Sequence, residues 1–243
     1  MLDIKYNSMQ IFYHSEINVN DNDLIISDSE HHHLNKVLRK KINDKIYLTN
    51  GNGYLFEATI NNINSKSTHL KIINSNKKIS MDYNLHIAIA PTKKIDRFEL
   101  FLEKAIEIGV SSITPLICKY NERKSLNYTR LNKIAVSAMK QSLQTYLPKI
   151  EPIVSIKEFI ESNQCKQKYI AHCKNSKKVH LSKIIKRKTN SSIIIGPEGG
   201  FTDDEISLAM DYNFIPVSLG NNRLRTETAG IASCQTFSDV NNK

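Results

Sequence analysis

The sequence predicts an α/β protein made of a small all-β module followed by a larger domain whose parallel sheet is covered on both faces. Three observations carry this. The first 80 residues read as short strand-like runs punctuated by turn residues. Around Asn74 to Asp82 the chain turns polar and aperiodic, which marks a boundary. Beyond it, apolar strand-like runs alternate with helical patterns, as a parallel sheet with crossover helices requires. The expected domains are residues 1–80 and 81–243.

In the first module the strand candidates are MQIFYH, DLIIS, KIYLTN, GYLFEATI and THLKIIN. Asn50 to Gly53 reads as the turn of a hairpin between the third and fourth, and the spacing suits a barrel-type module. EHHHLNKVLRKK, Glu30 to Lys41, reads as a short basic helix packed on it. In the second part, LHIAIAP (Leu85 to Pro91) is an apolar strand, and IDRFELFLEKAIEIG is a helix closing on Leu102, Ala105, Ile106 and Gly109. SITPLIC, a helix through Asn127 to Tyr146, KYIAHC, SSIIIG and FIPVSLG continue the alternation. Ligands of such sheets bind beyond the carboxyl ends of the strands, which directs attention to the loops after SSIIIG and FIPVSLG.

Composition narrows the partner. With 34 Lys+Arg against 24 Asp+Glu the net charge is +10, which favours a polyanion such as nucleic acid, although a chain rich in Lys, Asn and Ile carries such an excess on compositional grounds too. Cys118, Cys165, Cys173 and Cys234 form no C-x-x-C pair and read as free thiols of a reducing compartment. No apolar run approaches the about 20 residues of a membrane span, and MLDIKYNSMQ lacks a signal-peptide core. A cytoplasmic protein with no membrane partner is expected. The three consecutive histidines, His31 to His33, point to different faces, so no metal site is expected.

The loop IGPEGGFTDDEI has glycines at 196, 199 and 200 where a strand turns towards a helix, letting backbone approach a ligand. Thr202 with Glu205 forms a capping box that defines the helix start. A capped turn with glycines for geometry alone would look the same. No dinucleotide or P-loop glycine pattern is present, and Glu198, Asp203 and Asp204 would repel a phosphate. The second loop, SLGNNRLRTETAG, offers Gly220 after a strand, Thr226 or Thr228 as helix cap, and small residues at Ala229, Gly230, Ala232 and Ser233 for close packing. Arg223 and Arg225 beside it present planar forks suited to a phosphate or a polarised carbonyl.

GPEGGFTDDEI together with LG-x-x-x-LRTETA, preceded by KIDRFELFLEKAIEIGV, resembles the RsmE family of ribosomal RNA small subunit methyltransferases E. The amino-terminal HHLNKVLR, Lys45-Ile46 and the Asn50–Gly53 turn extend the likeness over nearly the whole chain, from about Met9 onward. The resemblance implies a PUA-like RNA-binding β-barrel and a SPOUT α/β domain with a carboxyl-terminal trefoil knot. It also implies methyl transfer from S-adenosylmethionine to N3 of a uridine in 16S ribosomal RNA, with naked RNA or the assembled 30S subunit as partner, and a homodimer.

The cofactor carries a sulfonium and an uncharged adenosine, so its site calls for backbone donors and acceptors and no phosphate cradle. Gly196, Glu198, Gly199 and Gly200 are the expected cofactor loop, with Leu219, Gly220 and Leu224 as a second wall. A cation beside the uracil carbonyls would stabilise the charge that develops as N3 loses its proton, a role expected of Arg225. Glu227 is the candidate base, or the residue that orients Arg225; a first-turn Glu also simply complements the helix dipole. RNA candidates are His33, Lys36, Arg39, Lys40 and Lys41 in the first module and Arg97 and Arg123 in the second.

Several positions depart from the family pattern. Lys140-Gln141-Ser142 and Gln144 stand where Glu-Gln-Ser and an Arg are expected, and Asn222 and Arg223 where an Arg and an Ile are expected. The Arg expected before Phe12 is missing, with Gln10 and Ile11 there. A second class of function is therefore a non-catalytic RNA-binding protein with a decayed enzyme domain; a third is a nucleotide-binding enzyme of other chemistry.

Overall fold

A computed structural model describes residues 10–242. Residues 1–9, which hold all of MLDIKYNSMQ but Gln10 and include Met9 of the first expected strand, lie outside the described residues. The chain divides into two compact units, one of residues 1–80 with 139–147, the other of residues 81–138 with 148–243.

The first unit is a five-stranded sheet in the order β1-β3-β4-β5-β2, formed by β1 (Ile11–Tyr13), β2 (Asp23–Ser27), β3 (Lys45–Thr49), β4 (Tyr54–Ile63) and β5 (Ser67–Lys77). All its pairings are antiparallel except β1 with β3. Alternation puts Ile46, Leu48, Phe56, Ala58, Ile60 and Leu70 on one face, where they bury against Phe12, Ile17 and Leu34. Each such fully buried large side chain contributes about 1.5–3 kcal/mol of transfer free energy. The polar stretch from Asn74 is not a linker up to Lys77: its backbone pairs with Tyr54–Glu57 of β4, past a register shift at Glu57/Ala58. Ladder hydrogen bonds hold it without an apolar side-chain pattern.

The expected helix at Glu30–Lys41 begins earlier and ends sooner. It is α1 (Asp28–His32) continued as a wider π-type turn over His33–Val37. Lys40 N–H donates to Leu34 O at 3.0 Å, and Arg39 adopts φ 52°. Reversal there ends the helix, so Lys40 and Lys41 lie beyond it.

In the second unit, β6 (Leu85–Ile89), β7 (Ser112–Ile117), β8 (Lys149–Ile150), β10 (Gln167–Ala171), β11 (Val179–His180), β12 (Ser191–Ile195) and β13 (Ile215–Ser218) line up as β11-β13-β10-β12-β6-β7-β8, with β9 (Val154–Ser155) paired to β7. Every pairing given is parallel. The five residues of β12 are all buried, as a central parallel strand covered on both faces must be. The helices are α2 (Ile95–Ile108), α3 (Tyr128–Gln141), α4 (Ile156–Ser162), α5 (Asp203–Asp211) and α6 (Thr226–Asn241). In α2, Phe98, Phe101, Leu102, Ala105 and Ile106 form the buried stripe, and Gly109 ends the helix at φ 110°.

The helix expected through Tyr146 stops at Gln141. Leu143 turns to φ 56°, and the segment beyond packs with the first unit, where Tyr146 pairs with Asn52. Gly53 is needed there, because a Cβ would lie 2.3 Å from the Tyr146 ring. Lys140 Nζ meets Glu30 Oε1 at 2.5 Å and lies 5.7 Å from the centre of the Phe12 ring.

Candidate functional site

The bends after β6, β7, β12 and β13 meet at the carboxyl ends of the parallel strands. The chain passes through Gly196 and Pro197, both buried, then through exposed Glu198 and Gly199 to Gly200 at φ +77°. A Cβ on Gly196 would lie 2.9 Å from the Phe201 ring, and one on Gly199 would lie 2.8 Å from Tyr120 Cβ. Both glycines are therefore demanded by close approach. Thr202 caps α5: its hydroxyl accepts from Glu205 N–H at 3.1 Å while Glu205 returns to Thr202 N–H at 2.8 Å. The other Glu205 oxygen accepts Lys119 N–H at 2.7 Å, so the cap also anchors the bend after β7.

Glu198 does not project freely. Its carboxylate accepts Lys93 N–H at 3.0 Å, and its backbone carbonyl accepts Arg223 Nη2 at 3.3 Å. Arg223, which stands where an Ile is expected, so bridges the two glycine bends. Arg123 donates to the carbonyls of Thr92 (3.2 Å) and Lys93 (2.9 Å), which spends much of its fork on the loop after β6. Thr226 is not the cap of α6; Arg225 holds that position, and the Thr226 hydroxyl donates to Gly196 O at 2.9 Å. The side chain is taken by the neighbouring bend, which leaves none for the helix end.

A cleft of about 400 Å3 opens between the ends of β10 and β13, within the range of small-molecule sites. Ser218, Leu219, Gly220 and Leu224 line one side, and Ala171, His172 and Lys178 another. Gly220 has φ +145° with open space where a side chain would be. The second expected wall thus lines this cleft, whereas Gly196, Glu198, Gly199 and Gly200 are not among its lining residues and reach it through Arg223. Sequence reasoning missed His172. The only signal for it was a polar residue at the end of an apolar strand. Both its ring nitrogens are buried with no partner, and burial, then Lys178 and Lys174, push its pKa down.

Arg225 is exposed at the amino end of α6, and among the described residues no hydrogen bond or ion pair occupies its guanidinium. Glu227, two residues on, is buried, with Oε1 3.8 Å from Arg97 Nε and Oε2 unpartnered. The ion pair given to Glu227 is thus with Arg97. In the first unit, Lys36, Arg39 and Lys41 are exposed, while His33 is half-buried with its ring 5.7 Å from that of Phe12.

Residues 80–238 match the RNA methyltransferase domain family, and residues 26–73 match the RNA methyltransferase PUA domain family. The chain is 34% identical to the ribosomal RNA small subunit methyltransferase E of Rickettsia conorii, over 95% of this chain and 94% of that one. The chain belongs to the ribosomal RNA small subunit methyltransferase E family. Its fold agrees. A probable rRNA-methyltransferase from Porphyromonas gingivalis superposes with a TM-score of 0.91 at 34% identity, covering 96% of this chain and 99% of that one. The family member from Neisseria gonorrhoeae, solved bound to S-adenosyl methionine, gives 0.86 at 27% identity, covering 96% and 98%. The PUA match lies within the first unit, and the methyltransferase match covers most of the second together with residues 139–147 of the first.

Among the described residues, no helix is long and apolar enough to cross a membrane. The residues of the cleft fit the family's methyl donor. They combine apolar walls at Leu219 and Leu224 with free space at Gly220 where a side chain would stand, and no P-loop-type cradle.

Proposed function

We propose that this protein methylates N3 of a uridine in 16S ribosomal RNA of the small subunit, with S-adenosylmethionine as donor, in the cytoplasm. The observation that carries the reading is the cleft between β10 and β13, whose apolar and backbone lining suits an uncharged nucleoside and whose family membership supplies the reaction class. Bound there, S-adenosylmethionine supplies an electrophilic methyl group on a sulfonium.

The chain's own residues supply position and charge. Leu219 and Leu224 exclude water from the cleft sides; the Ser218 hydroxyl holds Gly220 N–H at 3.2 Å and Gly220 O at 2.9 Å, which fixes the turn and leaves the second lone pair of that carbonyl to the nucleoside. Gly196, Glu198, Gly199 and Gly200 form the adjoining bend that fixes the cleft's second wall through Arg223 and Thr226. Arg225, unengaged at the positive end of α6, stabilises negative charge on the uracil carbonyls as N3 gives up its proton. Glu227, facing Arg97, holds that arginine near the amino end of α6 and is a buried carboxylate available as proton acceptor. In the first unit Lys36, Arg39, Lys40 and Lys41, with His33, form the phosphate-contacting segment; Arg97 and the outer nitrogens of Arg123 serve the RNA in the second.

The bond between Thr226 and Gly196 ties the carboxyl-terminal helix behind the bend after β12, which supports a trefoil knot of the SPOUT kind. A homodimer with its active site at the subunit interface, acting on RNA or the assembled 30S subunit, completes the reading. The test is incubation with unmodified small ribosomal subunits and methyl-labelled cofactor, followed by mapping of reverse-transcription stops. A stop at one uridine is expected, because N3 methylation blocks the pairing edge. Label on a ribose or another base overturns the assignment.

A further inference from the structure

Tyr120 stands three residues beyond β7 and beside the bend after β12, and the chemistry proposed above makes no use of it. It is 52% exposed, and among the described residues no hydrogen bond, second ring or cation engages its side chain. The other large aromatic exposed among the described residues is Tyr212, which follows α5 and precedes β13, away from the carboxyl ends of the strands. Only Tyr120 of the two lies where the bends meet.

The backbone under this ring is fixed. Buried Asn121 accepts Cys118 N–H at 3.0 Å and donates to Leu116 O at 3.0 Å, while Glu205 accepts Lys119 N–H at 2.7 Å. Tyr120 also packs on Gly199, where an added Cβ would stand 2.8 Å from its own Cβ, and the adjacent Glu198 carbonyl is the one that accepts from Arg223. A loosely held tyrosine is ordinary surface. One wedged against the glycine bend on a pinned loop is a preset flat face, and ordering it on contact costs little entropy.

The charges around it select what that face meets. Lys119 and Lys124 are exposed and line one hollow with Thr202, Asp204 and Glu205, and Glu122 pairs with Lys93 at 2.8 Å. A rim of both signs gives a bare phosphate backbone little net attraction. A nucleobase is uncharged and offers a π-face to the ring, leaving its phosphate to the lysines.

We propose that the Tyr120 ring is a stacking platform for a base of the RNA flanking the target uridine. This rests on the reading of the protein as a ribosomal RNA uridine methyltransferase. Stacking fixes the strand without reading its sequence, because every base has a π-face, and it steadies the neighbouring uridine at the bends.

Tyr120→Trp supplies the reporter, because the sequence contains no tryptophan. The full-length variant is titrated with unmodified small-subunit ribosomal RNA and, as a control without bases, with inorganic polyphosphate. RNA should quench the indole and polyphosphate should not. Tyr120→Ala should raise KM for the RNA roughly tenfold while S-adenosylhomocysteine affinity changes less than about twofold, and Tyr120→Phe should recover most of that loss because the ring is kept. Melting curves report that each variant is folded. An indole that saturating RNA leaves unquenched, one already shielded by self-association before RNA is added, or an Ala variant with unchanged KM overturns the role of Tyr120 alone. A wild-type protein that transfers no methyl to the RNA overturns the proposed function, and this role with it.

Discussion

The Thr226 hydroxyl donates to the Gly196 carbonyl at 2.9 Å, and both residues are buried. One side chain thereby ties the first turn of α6 to the bend after β12, thirty positions earlier in the chain. Thr226→Val keeps the shape and strands the carbonyl, so it should lower stability by about 1–3 kcal/mol in urea unfolding and weaken cofactor binding. Thr226→Ser should restore most of both. A Val variant that melts and binds like the parent would show the bond to be incidental.

Gly230 in α6 meets α2 so closely that a Cβ would stand 2.5 Å from the Phe101 ring and 3.0 Å from Ile89 Cδ1. Overpacking of this kind costs typically about 1–3 kcal/mol, so Gly230→Ala should destabilise despite alanine's better helix propensity. Phe101→Leu in the same chain should recover part of the loss. Thermal denaturation of the single and double variants measures it.

Lys140 and Glu30 are each mostly buried, with side-chain exposures of 19% and 23%, and meet at 2.5 Å. Lys140→Met alone leaves the Glu30 carboxylate buried without its cation, an expected loss of about 3 kcal/mol. Adding Glu30→Gln should recover most of it. A double-mutant cycle in urea that finds the two losses additive would remove the pair as a stabilising unit.

His86 makes stability sensitive to acid. Burial lowers its pKa to about 4, against a rise from Glu151 and a further fall from Lys149, and its Nε2 lies 2.7 Å from Thr114 Oγ1. Between about pH 6.5 and 4 the unfolded chain binds a proton that the folded chain refuses, so stability falls as pH falls through that window. The full loss is on the order of 3 kcal/mol. Urea midpoints at pH 7.5 and 4.5 should differ less in His86→Asn than in the parent.

Arg225→Ala should lower turnover by roughly ten- to a hundredfold while changing S-adenosylhomocysteine affinity less than about threefold, since a charge aimed at the uracil acts on the transition state. Single-turnover methylation and calorimetry separate the two. The opposite pattern would move Arg225 into the cofactor site.

Much of this was legible in the chain alone. Strands such as Ser191–Ile195 announce themselves by an apolar run, here Ile193 to Ile195, with Ser191 and Ser192 buried through hydroxyl bonds to Thr189 O and Asn163 Oδ1, and the capping box at Thr202 and Glu205 is written three positions apart. Less legible were elements whose support comes from elsewhere. Asn74–Lys77 forms a strand through the ladder of β4, and the chain leaves α3 at Gln141 because the following residues pair with Asn52.

Local pattern determined the fold class and the two bends, because glycine positions, caps and apolar periods act between near neighbours, while the family rested on the resemblance of the motifs in those bends. Only the folded chain decided which partners those residues take: Thr226 bonds Gly196 and is not a cap, Arg223 joins Glu198, Glu227 faces Arg97, and His172 lines the cleft with both nitrogens unpaired. Hydrogen bonds and ion pairs reach only a few ångströms, so their pairing depends on where distant segments come together in space, which no local stretch of sequence encodes.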